Sequence, residues 1–173
     1  MKITKKSPID YIVYTAIIVI GIVIDQITKY LAVVNLKPIS THPIIRGVIH
    51  LTYVENRGAA FGMLADQRWI FIAISSVTIV AFLIYLYLGM AENRLYSTAI
   101  AMIISGGIGN MIDRLALGYV VDFIDFRLIN FAVFNGADSF VCVGAGLLIL
   151  ALILDIIKDS KAKKENENAS DGK

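Results

Sequence analysis

The sequence predicts an α-helical integral membrane protein with four transmembrane helices and a small extracytoplasmic β-sheet. Three observations carry this. Of 173 residues, 57% are hydrophobic and only 17% charged, and the mean hydropathy of +0.72 is far above what a soluble domain tolerates. Trp69 to Met90 contains no charged residue and, at about 1.5 Å per residue, reaches roughly 33 Å, enough to cross a hydrocarbon core. Between apolar runs, Val48 to Val54 is rich in β-branched and aromatic residues with partial alternation, the pattern of a strand.

The first helix is read over Tyr11 to Leu36. It is apolar to Ile24, interrupted by Asp25, Gln26, Thr28 and Lys29, and resumes at Tyr30. Met1 to Lys6 followed by an apolar run has the look of a signal peptide, but the run is too long and no small-residue cleavage site precedes Asp25, so an uncleaved span is expected. Leu95 to Ile112 and Ser139 to Leu154 are charge-free and supply the third and fourth spans. Lys2, Lys5 and Lys6 precede the first helix, Arg94 lies in the hairpin between the second and third, and Lys158, Lys161, Lys163 and Lys164 follow the fourth. The positive-inside rule therefore puts both termini in the cytoplasm, although Lys37, Arg46, Arg57 and Arg68 in the first outer connection soften the asymmetry. Residues 1–160 are expected to form one membrane-embedded domain with extracytoplasmic loops at about 37–68 and 115–134. Residues 161–173, polar and mixed in charge, are expected to form a disordered cytoplasmic tail. A net charge of +2 with its cations near the ends gives no footprint for nucleic acid.

The polar residues inside apolar stretches carry the chemistry. Asp25 and Lys29 are four apart and share a helix face. They form either an ion pair anchoring the outer end of the helix, with Lys29 snorkelling outward, or part of a site. Pro38 and Pro43 break helix, and Glu55 to Gly62 is a small-residue loop that offers Asn56 and Gly58. The third helix ends in Ser105 to Arg114, where the glycines allow close helix packing. Asn110, Asp113 and Arg114 share one side there, the last two as structural counter-charges or as part of the chemistry. His42 and His50 have no partners at metal-ligand spacing, so no metal or other cofactor is expected. Cys142, lone within the fourth span, reads as a buried small hydrophobe.

Topology then gathers Asp25, Asn110 to Arg114, Asp122 and Asn135 to Asp138 at one depth near the outer leaflet, above almost uniformly apolar inner halves. With no polar path through the bilayer, a channel is not indicated. Two carboxylates brought together share a proton, the arrangement of an aspartic protease: one activates water, its protonated partner polarises the carbonyl. Asp138 pairs with Asp122 or Asp125; sequence chemistry does not choose. The rival reading is a small membrane transporter or assembly subunit with a buried proton-sharing pair.

Asp25 to Lys29, Asn56 to Gly62, Gly109 to Arg114, Val120 to Ile124 and Phe134 to Ser139, in this order and with similar spacing, resemble the motifs of the bacterial lipoprotein signal peptidases, or signal peptidase II. The resemblance implies an intramembrane-type aspartic endopeptidase of the cytoplasmic membrane. It would cut diacylglyceryl prolipoproteins immediately before the lipidated cysteine; separately from the resemblance, the chain is expected to be a monomer. Asp122 and Asp138 would be catalytic, leaving Asp125 an outer-surface acid. Asp25, Lys29, Asn56, Gly58, Asn110, Arg114 and Asn135 would bind substrate or support the site. It further implies contact with membrane lipid, inhibition by globomycin-type cyclic peptides, and a β-cradle with a short interfacial helix over Ala59 to Ala65. Two departures stand out. Ser105 occupies a usual glycine position, its hydroxyl expected to bond back along its own helix. Gly136 replaces a bulky apolar residue and is expected to loosen the start of the fourth helix by roughly 1 kcal/mol relative to Ala.

Overall fold

The computed structural model describes residues 6–58, 66–90 and 93–171, the side chains of 164–171 excepted. Among the described residues, four helices are long and apolar enough to cross a membrane. Helix α1 spans Pro8–Asn35, α2 Arg68–Tyr87, α3 Arg94–Ala116 and α4 Gly136–Asp171. Strands β1 (Thr41–Ile45), β2 (Ile49–Asn56) and β3 (Val120–Phe126) form one antiparallel sheet in the order β1-β2-β3. The interfacial helix expected over Ala59 to Ala65 lies outside the described residues.

Local chemistry sets the element ends. Ser7 caps α1 in a reciprocal box with Asp10, and Pro8 fills the first turn where a missing N–H costs nothing. Asn93 caps α3 through the amides of Leu95 and Tyr96. The same helix stops at Leu117, and Gly118 at φ +86° turns the chain directly into β3. That tight exit fixes Val120 to Asp122 close to the last turn of α3.

Helix α3 is the centre of the bundle: half of its span is buried, against about a tenth of α2 and α4. Its small residues permit this. A Cβ on Gly106 would lie 2.2 Å from the Ala137 carbonyl oxygen, and one on Gly109 2.5 Å from Asp25 Oδ2. Helices α1 and α4 can approach α3 so closely only because hydrogen stands at these positions. Ser105 donates to the Ile18 carbonyl of α1 at 3.1 Å. The expected bond along its own helix is replaced by one across the α1–α3 seam, because Gly21 leaves room for the hydroxyl.

Helical backbone continues to Asp171, where Lys, Glu and Ala are strong helix formers extending an existing helix, which avoids the nucleation cost. One further expectation is corrected. Cys142 is exposed on α4 instead of buried. In an apolar solvent a small thiol is as well placed on the outer face as in a core.

Candidate active site

Helix α4 starts beside β3 because Phe134 is stitched to that strand. The Phe134 N–H donates to the Ile124 carbonyl at 3.1 Å, and the Phe134 carbonyl accepts from the amides of Phe123 and Ile124 at 3.0 and 2.8 Å. The next residue, Asn135, caps α4. Its Oδ1 accepts from the Asp138 N–H at 2.9 Å, and Asp138 Oδ2 accepts from the Asn135 N–H at 3.2 Å. This capping box fixes the third residue of α4 as an acid facing its own helix start.

Asp122, 1% exposed on β3, lies across a layer of amides from Asp138. The Asn135 side-chain N–H₂ donates to Asp122 Oδ1 at 2.6 Å and to Asn110 Oδ1 at 3.0 Å. The Asn110 N–H₂ donates to Asp138 Oδ1 at 2.7 Å, and Asn56 donates to Asp122 Oδ2 at 2.9 Å. Each carboxylate thus takes a donor on each oxygen, and Asn110 and Asn135 connect the two acids. Burial pushes the Asp122 carboxyl up to about 6; the Asp138 charge adds to this, while Asn56, Asn135 and Lys29 oppose it. Gly58 closes the Asn56 turn through its N–H to Asn56 Oδ1 at 2.9 Å, and its carbonyl accepts from Arg114 at 3.3 Å. Arg114 also stacks on Phe71, 4.9 Å from the ring centre.

These groups open onto a cavity of about 640 Å³ whose remaining wall is largely apolar: Phe71, Phe131, Val133, Phe134, Cys142 and Val143. Cys142 and Val143 are exposed on α4, so the apolar wall is continuous with the outer surface of the bundle. The size and the balance of many apolar groups with a few converging polar ones are those of a ligand site.

Asn56, Gly58, Asn110, Arg114, Asp122 and Asp138 line this cavity, with Asp25, Lys29 and Asn135 behind them; Lys29 takes the site-supporting one of its two readings, and Asp125 differs from expectation. Lys29 is 3% exposed and turns inward, contacting Asp25 Oδ2 at 2.9 Å, Asp113 Oδ2 at 3.1 Å and Asn110 Oδ1 at 2.9 Å. Two carboxylates outcompete the bilayer surface for its ammonium. Asp125 is 8% exposed, not an outer-surface acid. It accepts from Thr52 Oγ1 at 2.6 Å and Arg127 Nε at 2.9 Å, and although burial raises its carboxyl, these bonds together hold it below the ordinary carboxylate range.

Sequence reasoning underrates Asp113. Its partners are Lys29, Gln26 and the Val121 N–H, not its neighbour Arg114. The available signal is its i+3 spacing from Asn110 on the face of α3 that meets Asp25.

Four membrane-length helices, a short sheet at one end and a pair of buried acids on an apolar cavity define a multi-pass membrane protein with a two-carboxylate site. A family model described as Signal peptidase (SPase) II matches residues 17–154, and the chain belongs to this family of proteases. It is 54% identical over 135 residues to a lipoprotein signal peptidase of Caldanaerobacter subterraneus, covering 77% of this chain and 92% of that one. It is 48% identical over 141 residues to a lipoprotein signal peptidase of Clostridioides difficile, covering 81% and 94%. Among solved structures it resembles a bacterial membrane enzyme determined by the in meso method at 2.3 Å, with a TM-score of 0.78, 32% identity, and coverage of 83% of this chain and 89% of that one.

Proposed function

We propose that the chain is a lipoprotein signal peptidase of aspartic type, with Asp122 and Asp138 as its catalytic pair. Removal of signal peptides from prolipoproteins is the activity that family membership and the relatives' names support, and the transporter or assembly-subunit reading is not favoured. The observation that carries the aspartic reading is the pair itself: two buried acids, each with both oxygens held by donors and joined through Asn110 and Asn135.

In this reading one carboxylate of the pair takes a proton from water as the water attacks the scissile carbonyl. The protonated partner donates to the carbonyl oxygen, and a proton then passes to the departing amine. The pair titrates as a unit. Asn56, Asn110 and Asn135 hold the acids, Gly58 holds Asn56, and Arg114 offers guanidinium donors at the cavity to substrate carbonyls. Asp25 Oδ1 accepts from the Ala137 N–H at 2.8 Å and so anchors the residue before Asp138. The apolar wall reaching the outer surface suits a substrate bearing a diacylglyceryl group, entering from the membrane and cut just before its lipidated cysteine. Contact with membrane lipid follows from that route.

The remaining features belong to the same proposal. Residues 1–160 form one peptidase domain in the bacterial cytoplasmic membrane, both termini cytoplasmic and the site near the outer leaflet. The enzyme acts as a monomer, and globomycin-type peptides inhibit it.

The test is cleavage of a diacylglyceryl prolipoprotein by purified wild type, Asp122→Asn and Asp138→Asn. Both variants are expected to insert and fold yet leave the substrate uncut; processing by either at the wild-type rate refutes the assignment. The same assay on unlipidated substrate should give little cleavage. A reporter fused after Lys164 should register as cytoplasmic, and an external signal overturns the topology.

A further inference from the structure

Behind the acid pair, one ammonium meets three groups that each lead to it. Asp25 Oδ2 binds Lys29 Nζ at 2.9 Å, while its Oδ1 takes the N–H of Ala137, the residue before Asp138, at 2.8 Å. Asp113 Oδ2 binds Lys29 Nζ at 3.1 Å and takes the N–H of Val121, the residue before Asp122, at 3.0 Å. Asn110 turns its oxygen to Lys29 at 2.9 Å. An amide held in that sense must present its N–H₂ the other way, where it meets Asp138 at 2.7 Å. Gln26 closes the cluster, donating to Asp25, Asp113 and the Gly109 carbonyl.

From this geometry we propose that Lys29 is a positioning residue that sets both the spacing and the charge of the acid pair, acting through Asp25, Asp113 and Asn110. The inference rests on the reading of Asp122 and Asp138 as the catalytic pair. Lys29, Asp25 and Asp113 together carry one net negative charge a short distance behind Asp122 and Asp138. The charged groups around this point are Asp25 on α1, Asp113 and Arg114 on α3, Asp122 on β3 and Asp138 on α4. Removing the ammonium leaves two negative charges behind the pair and makes its ionisation harder. Removing one carboxylate while keeping the ammonium leaves none and makes it easier. A merely structural cluster would weaken the fold in both cases without opposite effects on titration.

The experiment is the pH dependence of kcat and KM for diacylglyceryl prolipoprotein cleavage by the full-length protein, with thermal unfolding measured in parallel. Lys29→Met should lower kcat about 100-fold with KM changed less than about threefold and move the acid limb of the profile up by about 1 pH unit. Asp113→Asn keeps an acceptor for the Val121 N–H and should move that limb down. Lys29→Arg keeps the charge and should leave the limb in place. Limbs that stay put, or that move the same way in Lys29→Met and Asp113→Asn, overturn the proposal. Should Lys29→Met fail to fold, Asp113→Asn decides alone, and a limb that does not move down overturns it. Asp122→Asn and Asp138→Asn are run alongside: wild-type cleavage by either refutes the catalytic pair itself, whereas inactive pair variants with an unmoved Asp113→Asn limb refute only the role of Lys29.

Discussion

Gly106→Ala tests whether the approach of α3 to α4 sets the position of Asp138. The added Cβ would stand 2.2 Å from the Ala137 carbonyl oxygen and 2.7 Å from a methyl of Val141. Ordinary contact begins at about 3.4 Å, so the backbone at Ala137 must retreat by about 1.2 Å. The obstacle is main chain, which cannot rotate away as a side-chain tip can. Overpacking of this kind costs about 1–3 kcal/mol, a fall in Tm of roughly 2–9 °C for a chain of this size. Activity should suffer more than stability, because Asp138 follows Ala137 directly and a displacement of about 1 Å can cost about 100-fold in rate. Gly136→Ala is the matched control. Its Cβ would sit 3.4 Å from Asp25 Oδ1 and 3.7 Å from Asp25 Cα and Thr28 Oγ1, all ordinary contacts. Without its Cβ the unfolded chain loses more entropy on folding, so Ala should stabilise by about 0.4–1 kcal/mol and leave kcat unchanged. Tm by thermal unfolding and kcat on a diacylglyceryl prolipoprotein decide both. Wild-type kcat in folded Gly106→Ala refutes the reasoning.

Burial raises the Asp122 carboxyl to about 6, so the pair holds the proton that polarises the carbonyl below that pH and loses it above, and cleavage by the wild type should decline as pH rises from about 6; a flat profile from pH 6 to 8.5 contradicts this. Asn135→Ala removes the cap of α4 and a donor to Asp122 together, and should cost about 1–3 kcal/mol in stability and most of the activity, read by Tm and kcat. Asp125→Asn should keep kcat within about twofold while lowering stability by about 1 kcal/mol, a modest figure because Arg127 is partly exposed. Asp125 is held below its ordinary range, so that loss should be present at neutral pH and fade as the pH falls into and below the carboxylate range; a large loss of kcat would make Asp125 a member of the site.

The spans and the strand at Ile49–Asn56 are legible in the sequence because periodicity and composition report directly on solvent and burial. That the polar residues collect towards one end of the bundle follows from counting residues along each helix. What composition does not give is direction. Lys29 is equally compatible with snorkelling and with inward pairing, because the outcome depends on Asp113, 84 positions later and packed against α1 only in three dimensions. Asp113 itself looks like a partner for the adjacent Arg114, yet neighbours one apart on a helix diverge by about 100°. Cys142 misleads for a different reason: in lipid, an apolar outer face and an apolar core have the same composition.

The choice between Asp122 and Asp125 shows where a strand alone stops being informative. Three residues apart on β3, they lie on opposite faces by the two-residue period, but periodicity does not say which face meets α4. The β2–β3 ladder settles it. Its register slips between Leu51 and Val54, the mark of a bulge that reaims side chains locally. One face then gives Asp125 to Thr52 and Arg127. The other gives Asp122 to Asn56 at the end of β2 and to Asn135 at the start of α4. The Phe134–Ile124 bridge brings α4 to that second face. A short sheet at the end of a helical bundle therefore divides two chemically identical acids, giving one an ion pair and the other a second carboxylate.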